Sequence, residues 1–233
     1  MSENFIKTNW VKIALSALAV LVAGGGIFGL FKYFTSEKEI GVEPKLIEEV
    51  GQPYLKADLE KTLIFSPTDP GSVVKAIKKE IQKSKKSGAL HFFKLPYTLM
   101  GFLELAEIKM PESLIFNSHP SFNIYAAYHT GSSSVVFLIK TENFEKAYGS
   151  LLAWEKDMWQ SFSRFLDAED IKNINQFYFF DEIIKNHDAR ILKNAANKSI
   201  LAYAIFNKQF VATATSREGL SIILQRLIAS PPR

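Results

Sequence analysis

The chain has 233 residues, 47% hydrophobic and 22% charged, with a formal net charge of +4 and nineteen phenylalanines. This composition suits one globular domain with an accessory segment and excludes collagen-like, mucin-like and wholly disordered chains. Cysteine is absent, which removes disulfides, thiolate nucleophiles, Cys-based zinc sites and Cys-ligated iron–sulfur clusters.

A short tail, 1–12, precedes an uncharged run from Ile13 to Phe31, IALSALAVLVAGGGIFGLF. As a helix rising about 1.5 Å per residue it nearly matches a hydrocarbon core of about 30 Å, so the run predicts a transmembrane helix over 13–31. Lys12 and Lys32 bracket it, and Trp10 and Tyr33 stand where aromatic rings settle at membrane interfaces. A buried core helix and a cleaved signal peptide are the alternatives. Soluble core helices seldom stay uncharged this long. Ala17-Leu18-Ala19 falls too early to be a cleavage site, and no small-x-small site followed by a polar mature start lies just past Phe31, so an uncleaved signal-anchor fits better.

Lys7, Lys12 and the terminal amine balance Lys32, Lys38 and Lys45. Retention of the short basic tail, and a cysteine-free domain suited to an oxidising exterior, then favour a cytoplasmic N-terminus and an extracytoplasmic domain. Gly25 and Gly29 form a G-x-x-x-G pair that suits self-association in lipid; ordinary glycine enrichment of membrane helices is the plainer account.

Residues 35–59 mix acidic residues with Gly41, Pro44, Gly51 and Pro53 and read as a polar tether. The folded domain is expected over 60–229, leaving 230–233 as a frayed tail. It opens with Leu63-Ile64-Phe65 and a helix in which Val73, Val74, Ile77 and Ile81 recur at helical spacing, with lysines filling the remainder to about Ser87. A strand, Leu90–Phe93, stops at Pro96, and an apolar helix runs from about Thr98 to Ile108. Phe122–His129 and Val135–Lys140 flank a Gly- and Ser-containing hairpin turn.

Thr141 is expected to cap a long helix with Phe144, Tyr148, Leu151, Met158 and Phe162 on its buried stripe, Glu155 at the margin and Trp154 displaced from its centre. Phe177–Phe180 begins a strand reaching Ile184, apolar on both faces and so expected to be central. A second hairpin, Ile200–Phe206 and Phe210–Thr215, leads to a last helix capped by Ser216. The result is an α+β domain: an antiparallel sheet with helices on one face, in which a ββα unit is used twice or two capped helices match by chance.

With this hairpin-plus-helix pattern, and with FLIKTENFEKAY (137–148) and LLAWEK (151–156), the chain resembles uncharacterised bacterial envelope proteins having one N-terminal span and a repeated α+β exterior domain. The likeness covers about thirty residues and implies location and architecture; it carries no catalytic motif.

Motifs with a mechanism behind them are missing: no G-x-S-x-G elbow, no H-E-x-x-H pair, no phosphate-cradling loop and no dinucleotide turn, so no catalytic, cofactor or metal residue is assigned. His91, His119, His129 and His187 lack helical metal-ligand spacing. His187 and Asp188 sit together, but a polar turn or strand end with Asp188 and Arg190 paired is the simpler reading. Ser132, Ser133 and Ser134 read as a flexible hairpin tip. Lys78, Lys79, Lys85 and Lys86 concentrate charge that suits anionic headgroups or a polyanion, or a solvated face. Beyond Phe34 basic residues exceed acidic ones by only two, which argues against nucleic acid. Asn197-Lys198-Ser199 matches a glycosylation sequon, relevant only in a glycosylating host.

Three functions fit. The first is a membrane-tethered, non-enzymatic binding or assembly module whose partners are the bilayer and an envelope protein. An envelope enzyme with a histidine-containing pocket is the second, and a lipid- or polyanion-contacting domain the third.

Overall fold

A computed structural model describes residues 52–66, 68–83, 86–172 and 178–232. The expected span at 13–31, its flanks Trp10, Lys12, Lys32 and Tyr33, the Gly25/Gly29 pair and Lys85 lie outside the described residues. Among the described residues no helix is long and apolar enough to cross a membrane.

The protein is α+β. Strands β1 (Leu59–Thr62), β2 (Leu90–Lys94), β3 (Ser118–His129), β4 (Ser132–Thr141), β5 (Phe179–Ile184), β6 (His187–Lys193), β7 (Ser199–Phe206) and β8 (Phe210–Ala214) form one eight-stranded sheet. Its order is β1-β2-β3-β4-β8-β7-β6-β5. Only β1 and β2 run parallel, joined through α1 (Ser72–Ile81). Helices α2 (Leu99–Ala106), α3 (Glu112–Phe116), α4 (Phe144–Ser161), α5 (Ala168–Lys172) and α6 (Arg217–Ala229) complete the set.

The helices do not share one face. Ile124–Tyr128 and Val135–Ile139 are buried without a break, so alternate side chains must feed two separate cores. Phe93, Ile124, Val135, Phe137 and Tyr203 pack beneath residues of α1 to α4, while Phe92, Tyr125, Val136 and Leu138 pack beneath α6. Ala127, Ala202, Ala204, Ala212 and Ala214 keep the second face low, and Leu220, Ile223, Leu224 and Leu227 lie on it. The bulky face instead holds an aromatic cluster in which Phe137 meets Phe102, Phe162 and Phe165 at centroid distances of 6.0, 5.1 and 5.2 Å.

This placement also overturns the duplicated ββα unit. Strands β4 and β8 are antiparallel neighbours, and a rotation exchanging them within the sheet preserves the face. Helix α4 lies on one face and α6 on the other, so β3-β4-α4 and β7-β8-α6 have opposite hand and no rotation superposes them.

Two further expectations change. Strand β5 is the sheet's edge, not its centre, with Ile183 and Phe180 exposed. The carboxylates of Asp181 and Glu182 on this strand suit an edge that must resist pairing with other chains. Helix α4 is capped by Asn143, whose Oδ1 accepts from Lys146 N at 3.1 Å, while Thr141 donates its hydroxyl to Asn117 O at 3.0 Å. The buried stripe is Ala147, Leu151, Trp154 and Met158. Trp154 is therefore a core residue, 4% exposed with its indole N–H donated to Ser161, whereas Tyr148 is 43% exposed and Phe144 half-buried.

The end of the expected tether is built into the fold. Leu55 is buried, Leu55 N donates to Tyr125 Oη at 3.2 Å, and Tyr54 packs edge-on to Phe210 at 5.3 Å. Tyr54 Oη donates to Ser121 O at 2.9 Å, and burial pushes this phenol up to about 12. The chain thus enters the domain beside the start of β3.

Candidate functional site

Strand register brings distant residues together at the opposite end of the sheet. Pairing of Ala126 with Val135 and of Val136 with Ala214 sets the β3–β4 turn beside the end of β8, where α6 begins. Thr215 N donates to Val135 O and Val135 N to Thr215 Oγ1, both at 3.0 Å. Ser216 then caps α6, accepting from Gly219 N at 2.9 Å. A Cβ on Gly219 would lie 2.6 Å from Ser134 Cβ, so only glycine lets the first turn of α6 rest directly on β4.

A cleft of about 620 Å3 opens there, lined by α1, the β3–β4 turn, α5, the β6–β7 connection and the start of α6. Asn194 organises the β6–β7 connection: its buried Oδ1 accepts from Ala196 N and Lys198 N at 3.1 and 3.0 Å. Lys198 Nζ reaches Asp170 at 2.6 Å, and Arg217 pairs with Glu182, with Lys193 3.9 Å from the same carboxylate. Lys78 Nζ donates to the carbonyls of Arg164 and Leu166 at 3.2 and 3.3 Å. Asp167 and Glu218 are exposed on the lining. Four cations face four carboxylates, so the cleft has the charge pattern for a polar ligand carrying both signs rather than a polyanion.

His129 is among its lining residues. Nε2 is 3.0 Å from Ser134 Oγ, which in turn meets Ser216 Oγ. Burial pulls the imidazole below its ordinary value, against the raising effect of Glu218. Ser134 has both neighbours in hydrogen-bond contact and no exposed surface. It joins the histidine to the helix cap and is closed to a substrate in the cleft. The serines expected to form a flexible tip are thus graded in burial, from exposed Ser132 to fully buried Ser134.

The other expected site residues scatter. His119 accepts from Ser121 N at 3.1 Å, near the chain entry, and His91 packs on Tyr128 at 4.8 Å. His187 lies against Phe206 at 5.1 Å, at the turn joining β5 to β6. Asp188 does not pair with Arg190, because Arg190 makes a two-pronged contact with Glu155 at 2.7 and 2.8 Å and reaches Asp181 at 2.7 Å. Tyr203 Oη donates to the same Glu155 at 2.7 Å, so this cluster ties α4 to β5, β6 and β7. Burial first, then the Glu155 contact, pushes the Tyr203 phenol up. Of the lysines on and after α1, Lys78 lines the cleft, while Lys79 and Lys86 are exposed. Among the described residues no group of three or more His, Asp or Glu side chains is arranged to hold a metal ion.

Comparison with protein-family models, with curated proteins and with solved structures yields no match.

Proposed function

We propose that the protein is a membrane-tethered, non-enzymatic binding module of the cell envelope. In this reading the 13–31 segment holds it in the membrane with the N-terminus in the cytoplasm. The α+β domain lies outside and takes a polar segment of an envelope partner into its cleft. The observation carrying this reading is the cleft's position at the end of the sheet opposite Tyr54, where the chain enters. The six residue-to-residue steps of β3 from Asn123 to His129 put about 20 Å between entry and cleft. A ligand seated in the cleft therefore does not compete with the tether.

An enzyme is the second reading, favoured by one observation: His129 shares the cleft with Glu218, Asp167 and Asp170. Ser134's burial between His129 and Ser216 weighs against that histidine activating it as a nucleophile.

The binding reading is tested in native membranes with the full chain carrying a photo-crosslinking side chain at Gln82 on the cleft lining. One discrete adduct is expected, lost when Arg217→Glu and Lys198→Glu reverse the charge of the lining, and retained in His129→Gln. An adduct insensitive to the charge reversals contradicts the reading. Turnover of a bound compound that is abolished by His129→Gln favours the enzyme.

A further inference from the structure

The three most exposed large apolar side chains lie at the chain-entry end, with two others beside them, whereas Leu59, Tyr178 and Phe180 are exposed towards the other end. Ile64 is 94% exposed, Phe116 73%, Ile183 70%, Ile228 48% and Tyr148 43%. Ile64 follows β1, whose Thr62 pairs with Lys94 at the last residue of β2. Phe116 precedes Asn117, whose carbonyl accepts from Glu142 N beside the start of α4, and Tyr148 lies in the next turn of that helix. Ile183 adjoins the Lys185-Asn186 turn, and Ile228 closes α6 beside the recess that Gln52, Tyr54 and Ser230 share.

The two-residue β5–β6 turn and the three-residue β7–β8 turn at this end each place an exposed lysine in the left-handed region, Lys185 at φ 53° and Lys208 at φ 56°. Glycine or asparagine takes such positions at less steric cost. Lysine there places an exposed cation at the end of the sheet. Lys208 Nζ also lies 5.5 Å from the centroid of Phe144, which stacks on Tyr148 at 5.9 Å. Exposed Glu142 and Glu145 flank the aromatic residues of α4, so the end is not uniformly basic, but its apolar and aromatic side chains with lysine at the two turn tips are groups that a bilayer's headgroup region accepts.

We propose that the chain-entry end is a membrane-contact surface that rests on an anionic bilayer. The proposal depends on the reading of 13–31 as an anchor. The bilayer is the occupant because the chain leads out of the domain at this end. Nineteen residues lie between Lys32 and Gln52, a reach of at most about 70 Å when fully extended. Such a tether holds this end at high effective concentration over the lipid. Lys78, Lys79 and Lys86, three of the four expected anionic contacts, belong to the opposite end: the helix bearing Lys78 and Lys79 finishes at Ile81, whose carbonyl accepts from Ser133, and Gly88 N donates to Tyr128 O.

The full chain, free of native cysteine, permits a clean test. Single cysteines replacing Phe116, Ile228 or Lys86 are labelled with a polarity-sensitive dye, and the protein is reconstituted into phosphatidylcholine–phosphatidylglycerol vesicles containing a nitroxide lipid. Co-flotation with the vesicles is expected, with strong lipid quenching at 116 and 228 and none at 86. The double variant Lys185→Glu, Lys208→Glu is expected to reduce the quenching without changing the melting temperature. Co-flotation with unquenched labels at 116 and 228, or with equal quenching at 86, overturns the surface and leaves the anchor standing. Dye shielding at 116 that grows with protein density but is not quenched by lipid identifies a second copy as the occupant and also overturns it. A chain that fails to float overturns both readings.

Discussion

The two ends of the sheet solve different problems with the same strands. At the cleft end several polar groups are partnered: Ser216 caps α6, Asn194 shapes a connection, Lys198 pairs with Asp170 and Arg217 with Glu182. At the chain-entry end strand tips carry left-handed lysines and unburied Ile and Phe side chains. The contrast separates residues that fix a shape from residues held ready for another surface. It also explains why exposed apolar area coexists here with two well-filled cores.

The largest expected effect sets the scale between these ends. Trp154→Ala, which empties the core under α4, should cost about 3–5 kcal/mol, whereas half-buried Phe144→Ala should cost about 1 kcal/mol or less. Chemical denaturation of both variants checks the ratio, and equal losses would return Phe144 to the core. Next, Arg190→Ala leaves the mostly buried Glu155 without its two-pronged partner. A loss of about 2 kcal/mol is expected, less than for a fully buried pair because solvent reaches the cluster.

Gly219→Ala sharpens the cleft end directly. The added methyl meets β4, and a loss of about 1–3 kcal/mol is expected in thermal or denaturant melts. The same end should respond to pH. His129 has a lowered value in the fold, so unfolded chains bind its proton more readily. Its contribution to stability is complete above about pH 6.5 and is lost as pH falls through the lower folded value. Melting curves between pH 7 and 5 should therefore flatten in His129→Gln and not in Lys208→Gly. The smallest effect has the opposite sign: Lys208→Gly should stabilise the fold by about 0.5–1 kcal/mol by relieving a left-handed lysine, while reducing lipid contact.

Much of the fold is legible in the sequence because it is local. The hairpins β3–β4 and β7–β8, helix α2 and the Ser216 cap follow from alternation, turn residues and capping chemistry. Strand β6 is harder, since His187-Asp188-Ala189-Arg190 looks polar. Arg190 there is satisfied by Glu155, 35 residues away, which sequence spacing does not reveal. Continuous burial along β3 and β4 carries the signal for a sheet covered on both faces. The cleft is less legible still: Ser134 and Ser216 meet across 82 residues, and Asp170 and Lys198 across 28. Those contacts exist only once the strand order is set.

The most direct test of the membrane-tethered binding module is its topology in the native cell. Full chains carrying one cysteine, at Ser2 or at Lys198 on the cleft, are exposed to a membrane-impermeant maleimide after the outer barrier is opened. The account predicts membrane-bound protein, labelling at 198, and protection at 2 until the inner membrane is lysed. Labelling at 2 with protection at 198, or recovery of the intact chain in the soluble fraction, would contradict it.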